Sequence, residues 1–195
     1  LIKAPLHIPF NFGLIDSVQR TGIALDGSDV GVGSGSDTRT LELTQATQIF
    51  KFTNIPNPPI PSLNRNFGAP IQVQFDYSEA ELLTLLECDT DAFNRWDAGQ
   101  QLYTRAILKI MHGQASALDD AFIKVLARLA EDASLSPAYR GLLFTLPSFS
   151  SLSQRVQQTQ LLDPQALFNA RETVSHALAQ SLAPQWQSIY QQFNH

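Results

Sequence analysis

Apolar and polar residues alternate in several short stretches of the first 77 residues. The clearest run places Leu6, Ile8, Phe10, Phe12 and Leu14 on one side of the chain. A period of two is typical of a β-strand with one buried face. The same alternation predicts strands in residues 6–14, 23–25, 41–43, 49–52 and 71–77. Short strands at this spacing, with phenylalanines on one face, predict an all-β sandwich domain over residues 1–77.

Two segments between these strands have the composition of connections. Residues 26–37 are rich in glycine and serine, which neither pack nor restrict the backbone, so they predict a flexible loop. Residues 54–61 contain four prolines, which lack the N–H group that a strand donates to its neighbour. We therefore expect 54–61 to be an extended connection instead of a strand.

From Ser78 onward the apolar residues recur at helical spacing. Ser78 and Glu81 have the sequence of a capping box, in which two side chains bond the free amides of a first turn. Further helix starts are predicted at Asp89 or Thr90, Ser116, Ser136 and Asp163, the last two each followed by proline. Successive helices with short connections predict an α-helical bundle, or the first part of a truncated α-solenoid, over residues 78–195.

Two apolar stripes in this helical region predict specific roles. Phe93, Trp96, Tyr103 and Ile107 share one helix face, which predicts that Trp96 is a core anchor. Near the C-terminus, after a helix break at Pro184, a second face is formed by Trp186, Ile189, Tyr190 and Phe193. If neighbouring helices leave this second face uncovered, we expect the chain to self-associate.

Composition and charge exclude several classes of protein. The 195 residues are 44% hydrophobic, and a net charge of −5 without any basic cluster argues against a nucleic-acid partner. No apolar run approaches the roughly 18 residues that span a bilayer, so no membrane partner is expected. A lone cysteine, Cys88, excludes an internal disulfide and favours a reducing, cytoplasmic location. The only methionine is Met111, which we interpret as the mark of a domain fragment.

A search for catalytic, metal-binding or cofactor-binding residues predicts none. A zinc peptidase of the His-Glu-x-x-His type needs two histidines one helical turn apart, and His7, His112, His176 and His195 do not provide this spacing. The glycines of residues 31–35 lack the helix and the Gly-Lys-Ser/Thr ending of a phosphate-binding loop. Acidic pairs at 119–120 and 131–132 are interpreted as helix-end and surface charges.

Several motifs around the predicted junction of the two domains resemble one enzyme family. These are Phe67-Gly68-Ala69-Pro70, the following strand pattern, the Ser78 cap and the block Phe93-x-Arg95-Trp96-Asp97-Ala98. In this order they resemble the zinc aminopeptidase N (alanyl aminopeptidase) family. The resemblance implies a β-sandwich domain followed by the start of a C-terminal helical domain, and a structural role for Arg95, Trp96 and Asp97.

By this resemblance the parent protein is a zinc metallopeptidase that removes N-terminal amino acids from peptides. The chain lacks the family's His-Glu-x-x-His and Gly-x-Met-Glu-Asn motifs. We therefore expect a non-catalytic scaffold that links or covers the catalytic domain, with the remainder of the aminopeptidase as its partner and peptides as the parent's substrates. The alternative is a free-standing peptide- or protein-binding module, which should expose a compact cluster of aromatic and arginine residues.

Overall fold

The computed structural model describes residues 5–25, 37–157 and 163–193. Most of the predicted loop 26–37 lies outside these residues, as does His195. The chain forms two compact units, residues 1–98 and 99–195. The first unit contains the strands and the second contains most of the helices.

Within the described residues, three antiparallel strands form the sheet of the first unit. They are β1 (Ile8–Asp16), β2 (Thr38–Leu43) and β3 (Pro59–Leu63), and β1 lies in the centre. Ile8 is paired with Leu43 on one side of β1, and Phe12 is paired with Leu63 on the other. The buried apolar side chains on and beside the sheet form one core cluster: Phe10, Phe12, Leu14, Ile23, Leu25 and Leu41. The strands predicted at 6–14 and 41–43 are thus confirmed as β1 and β2.

The prediction that residues 54–61 are only a connection is wrong at its C-terminal end, because β3 begins at Pro59. β3 is an edge strand, and edge strands tolerate proline where the missing N–H group would face away from the neighbour. Pro59 and Pro61 are two residues apart, so the N–H groups that they lack would both point to the same side of the strand. The carbonyl of Pro61 accepts a hydrogen bond from the Tyr77 hydroxyl (2.7 Å).

Three other predicted strands are not formed. Residues 49–52 and 71–77 pair with no strand in the described part of the chain, and residues 23–25 follow a single bridge between Ile15 and Gly22. In the last segment Val73 and Phe75 are exposed, whereas Tyr77 is buried and Ile71 packs against the core cluster, so the predicted buried face is only partly present. Phe52 nevertheless stacks on Phe12, with ring centroids 4.9 Å apart, so the 49–52 segment does contact the core.

Most of the described helices begin at a polar capping residue. The described helices are α1 (Glu79–Cys88), α2 (Ala92–Met111), α3 (Asp120–Glu131), α4 (Pro137–Leu143), α5 (Phe149–Gln157), α6 (Pro164–Ser181) and α7 (Ala183–Phe193). The capping box at Ser78 is confirmed, and so are the caps at Ser136 and Asp163 with their first-turn prolines. The cap of α3 is Asp119 instead of Ser116, because the Asp119 carboxylate accepts the amides of Ala121 and Phe122.

Apolar stripes along the helices form the core of the second unit. The ring of Tyr103 on α2 contacts Phe122 on α3 (5.0 Å between centroids), and the Tyr103 hydroxyl donates to the carbonyl of Leu143 (3.1 Å). On α6 the buried residues are Leu167, Ala170, Val174 and Leu178, in the predicted helical spacing. The apolar face predicted near the C-terminus is partly covered, because the ring of Trp186 packs edge-on against that of Phe144, with the two centroids 4.8 Å apart.

Candidate functional site

A strained turn follows β3 and forms the base of the candidate site. Within this turn Asn64, Asn66 and Phe67 all have positive φ angles, between 50° and 56°. The Asn64 side chain holds the turn closed, since its amide donates to the carbonyl of Ala69 and its oxygen accepts the Ala69 amide, both at 2.9 Å. Gly68 is needed here, because a Cβ at that position would lie 2.4 Å from the side chain of Asn11.

Arg65 projects from this turn into the interior of the first unit. Its side chain is 3% exposed, and one guanidinium nitrogen donates to the carbonyl of Asp37 (2.8 Å). The other nitrogen faces the carboxylate of Asp89 (3.4 Å) and donates to the hydroxyl of Thr90. Arg65 also explains why residue 13 on β1 is a glycine, because a Cβ atom at Gly13 would lie 2.3 Å from the Arg65 guanidinium. One arginine thus joins the turn, the start of β2 and the α1–α2 connection.

Asp89 and Asp37, the two carboxylates beside Arg65, have pKa values that are shifted in opposite directions. Burial raises the pKa of Asp89, whose side chain is fully buried, and the hydrogen bonds and the charge of Arg65 only partly oppose this. The hydrogen bond from Thr90, assisted by the charge of Arg65, lowers the pKa of Asp37. The Nε of Arg65 and the Oδ2 of Asp89 are buried without a hydrogen-bond partner. Arg65 therefore compensates a buried negative charge that its other surroundings do not fully stabilise.

The first turn of α2 is hydrogen-bonded to β3 and to the turn that carries Arg65. Asp91 accepts the amide of Asn94 (2.8 Å), which caps α2, and its second oxygen accepts the amide of Asn66 (2.9 Å). The Asn94 side chain donates to the hydroxyl of Ser62 on β3 (2.8 Å). We call Arg65, Asp37, Asp89, Asp91 and Asn94 the polar junction. Its contacts connect the sheet, the turn and the two first helices.

Chemically, the polar junction has the character of a structural network. A guanidinium held among carboxylates can fix segments of the chain in place. The polar junction contains no nucleophile paired with a base, which covalent catalysis would require. In residues 5–25, 37–157 and 163–193, no group of three or more histidine, cysteine, aspartate or glutamate side chains is arranged to hold a metal ion. Catalytic zinc needs three protein ligands and an open position, so the described residues do not fit this metal.

The residues singled out from the sequence lie beside the polar junction. The Nε of Arg95 donates to the carbonyl of Leu86 at the end of α1 (3.1 Å). Trp96 is half-buried and its ring lies 5.8 Å from that of Phe93. Asp97 lies near Tyr77, whose pKa is raised by burial and then by the charges of Asp89 and Asp97.

Sequence reasoning missed Arg65, the central residue of the site. The available signal was the pair of asparagines that flank it, since asparagine tolerates the left-handed backbone conformation of a tight turn. Asp89 was recognised only as a candidate cap of α2, together with Thr90, and the residue that caps this helix is Asp91 instead. Of the histidines, His7 is exposed and pairs with Glu42, and His176 is also exposed.

The described helices include none that combines the length and apolar character needed to cross a bilayer.

Comparisons with known proteins agree with the division into a sheet region and a helical region. Residues 2–76 match the family model described as a domain of unknown function (DUF3458) with an Ig-like fold. Residues 79–195 match the model described as a domain of unknown function (DUF3458_C) with ARM repeats. The coarse fold is therefore an Ig-like portion followed by an ARM-repeat helical region.

The relatives in these comparisons are aminopeptidases. Aminopeptidase N of Escherichia coli K12 is 33% identical over 96% of this chain and 21% of its own length. Aminopeptidase N of Caulobacter vibrioides is 33% identical over 73% of this chain and 16% of its own. A crystal structure of Legionella pneumophila aminopeptidase A in complex with aspartic acid gives a TM-score of 0.77 at 31% identity, covering 93% of this chain and 20% of that one.

The chain thus spans about a fifth of the length of the relatives that it matches. The resemblance to aminopeptidase N that the motifs of residues 67–98 indicated is confirmed. More than half of the chain matches the ARM-repeat model, and the sheet region matches its Ig-like companion. The chain belongs to the DUF3458_C ARM-repeat family, as it occurs in the aminopeptidases N.

Proposed function

We propose that this chain is a non-catalytic scaffold segment of a zinc-dependent aminopeptidase N, a cytoplasmic enzyme that removes N-terminal amino acids from peptides. One observation carries the proposal: nearly the whole chain is similar to aminopeptidase N, but it corresponds to only about a fifth of that protein. The zinc site and the peptide-binding residues then belong to the remainder of the polypeptide, which is the segment's partner.

The polar junction supports a scaffold role. Arg65 contacts a residue 28 positions before it in the sequence and another 24 positions after it, and both contacts are buried or half-buried. Such a network holds distant segments in one arrangement, which is what a linking or covering domain requires. Arg95 and Trp96 contribute in the same way, because Arg95 bonds the carbonyl of Leu86 at the end of α1 and the ring of Trp96 lies 5.8 Å from that of Phe93. The charge of Asp97 contributes to the raised pKa of Tyr77.

For the fold we further propose a β-sandwich domain over residues 1–77 and a helical domain from residue 78. Residues 49–52 and 71–77 form no strands, so in this proposal they cover the sheet's core as extended segments and not as a second paired sheet. Phe50, Phe52 and Ile71 are already packed against the sheet's core cluster, and both segments keep the alternating sequence of strands. The Ig-like description of residues 2–76 supports this proposal, because Ig-like domains are two-layered.

The free-standing binding module is the less favoured alternative. Such a module should present a compact exposed cluster of aromatic and arginine side chains. Trp96 and Trp186 are half-buried against Phe93 and Phe144, and the central arginine is buried.

The sequence of the complete gene product tests the proposal. We expect a His-Glu-x-x-His motif on the N-terminal side of these residues, and alanyl anilide hydrolysis by the full-length protein. A gene product without that motif, or a full-length protein that holds the motif but does not release an N-terminal residue, would refute the aminopeptidase assignment.

A further inference from the structure

The helix α1 and the connection that follows it are grouped differently by sequence and by packing. The ARM-repeat model begins at residue 79, so by sequence both belong to the helical region. In the structure, the compact unit that contains the three strands extends to residue 98 and therefore includes both. The contacts of residues 79–94 decide which part of the chain they unfold with.

The connection between α1 and α2 is bonded to the sheet side at three consecutive residues. The carboxylate of Asp89 faces the guanidinium of Arg65 (3.4 Å), and that of Asp91 accepts an amide of the turn after β3 (2.9 Å). Between them, the hydroxyl of Thr90 donates to the carboxylate of Asp37 (2.6 Å), immediately before β2. The connection is therefore fixed to segments that flank two different strands.

The helix ends on both sides of this connection contact the sheet region as well. At the C-terminal end of α1, Arg20 pairs with Glu87, and its Nε donates to the sulfur of Cys88 (3.2 Å). At the N-terminal end of α2, the side chain of Asn94 donates to the hydroxyl of Ser62 on β3, and both residues are buried. Residues 87–94 are thus bonded to the turn after β1, to the start of β2 and to β3.

The burial of these groups makes a separate opening of α1 unfavourable. If α1 and the connection unfolded alone, Arg65 would lose Asp89 and Thr90 while its guanidinium stayed inside the sheet region. A buried charge that loses its partner strongly destabilises the state that contains it. The opening would also expose Leu82 and Leu86, which are fully buried. An opening that includes the strands avoids the unpaired guanidinium, because Arg65 then reaches solvent.

From these contacts we propose that α1 and the α1–α2 connection form one cooperative unit with the three strands. This unit opens as a whole, and residues 79–94 unfold with the sheet and not with the helices α3–α7. The division at residue 77 describes where strands give way to helices, and it is compatible with a cooperative unit that extends further. The proposal is independent of the enzyme to which the chain belongs.

Hydrogen–deuterium exchange with mass spectrometry on the 195-residue chain tests the cooperative unit. Fragments that cover β1, α1 and α6 would be followed under conditions in which the exchange rate reports the opening equilibrium, with urea added in steps below the unfolding midpoint. We expect the exchange of α1 to depend on urea as that of β1 does. An α1 that exchanges more readily than β1, or that follows α6 where β1 and α6 differ, would overturn the proposal.

Three matched leucine substitutions give an answer even where all fragments of the wild type coincide. Leu41→Ala perturbs the sheet core, Leu86→Ala perturbs α1 and Leu178→Ala perturbs α6, and all three leucines are buried. We expect each of the first two variants to accelerate exchange in β1 and α1 by the same factor, at least about thirtyfold, and to change α6 less than about threefold. Leu178→Ala should accelerate α6 and leave β1 and α1 as they are.

The two first-unit variants act from opposite sides, so a failure of the proposal is visible from either. Leu41→Ala that accelerates β1 without α1, or Leu86→Ala that accelerates α1 without β1, would refute a shared unit. Equal acceleration of all fragments by Leu178→Ala would refute it too, because the whole chain would then open together. Where an alanine variant does not fold, valine at the same position gives a smaller perturbation, and the same equality between β1 and α1 is expected.

Discussion

Replacing Arg65 with methionine should remove the main compensation of a buried charge. Methionine has a similar volume and no charge, so Asp89 would keep its fully buried carboxylate without the guanidinium 3.4 Å away. Removing one partner of a buried ion pair typically costs about 3–5 kcal/mol, because the other charge is left uncompensated. The lost bond to the carbonyl of Asp37 contributes to this cost. We therefore expect Arg65→Met to lower the free energy of unfolding of the first unit by at least about 3 kcal/mol at neutral pH.

The cost should also depend on pH in a defined direction. Burial raises the pKa of Asp89 in the folded state even beside Arg65, and without Arg65 that pKa rises further. A carboxyl whose folded-state pKa lies above its unfolded value destabilises the folded state when ionised. The folded state then gains stability as the pH falls through the folded pKa. The destabilisation by Arg65→Met should accordingly be largest near pH 7 and smaller near pH 5.

Urea unfolding would measure this effect. Fluorescence of Trp96 in a Trp186→Phe background reports on the first unit alone. The control is Arg20→Met, which removes a partly exposed arginine of the same unit that pairs with Glu87, and which should cost less than about 1 kcal/mol. A cost for Arg65→Met below about 1 kcal/mol, or the same cost at both pH values, would refute the reasoning about the polar junction.

Two further predictions concern the aromatic residues. Trp96→Ala should lower the free energy of unfolding in urea by about 2–3 kcal/mol. This is less than for a fully buried tryptophan, because Trp96 is only half-buried against Phe93. A loss below about 0.5 kcal/mol, as for a surface substitution, would contradict its structural role. Self-association of the isolated chain should increase with concentration in light scattering, because Tyr190 on α7 is 68% exposed. Tyr190→Ser should reduce this association. A chain that remains monomeric at every concentration would show that this face does not mediate self-association.

Local signals in the sequence correctly predicted three of the five expected helix starts. Ser78, Ser136 and Asp163 each cap a helix with a bond to an amide two or three residues away, so the sequence contains both partners of the interaction. The alternation in β1 and β2 was equally informative, because both strands have a face on the core cluster. These elements depend on neighbours in the sequence, or on burial of a face, and both leave a visible pattern.

Features that depend on distant partners left no such pattern. Val73 and Phe75 alternate like strand residues, yet whether a strand forms there depends on a pairing partner that periodicity does not identify. The edge position of β3, which makes its prolines acceptable, is also a property of the whole sheet. Arg65 is the clearest case: its partners Asp37 and Asp89 are 28 and 24 positions away, and no spacing rule connects them.

The central claim is that this chain is a segment of an aminopeptidase without the enzyme's own chemistry. The most direct measurement is zinc content after dialysis together with alanyl anilide hydrolysis, for the 195-residue chain and the full-length gene product side by side. The account predicts about one tightly bound zinc ion and hydrolysis for the full-length protein, and neither for the isolated chain. Stoichiometric zinc with turnover in the isolated chain, or no hydrolysis by the full-length protein, would contradict it.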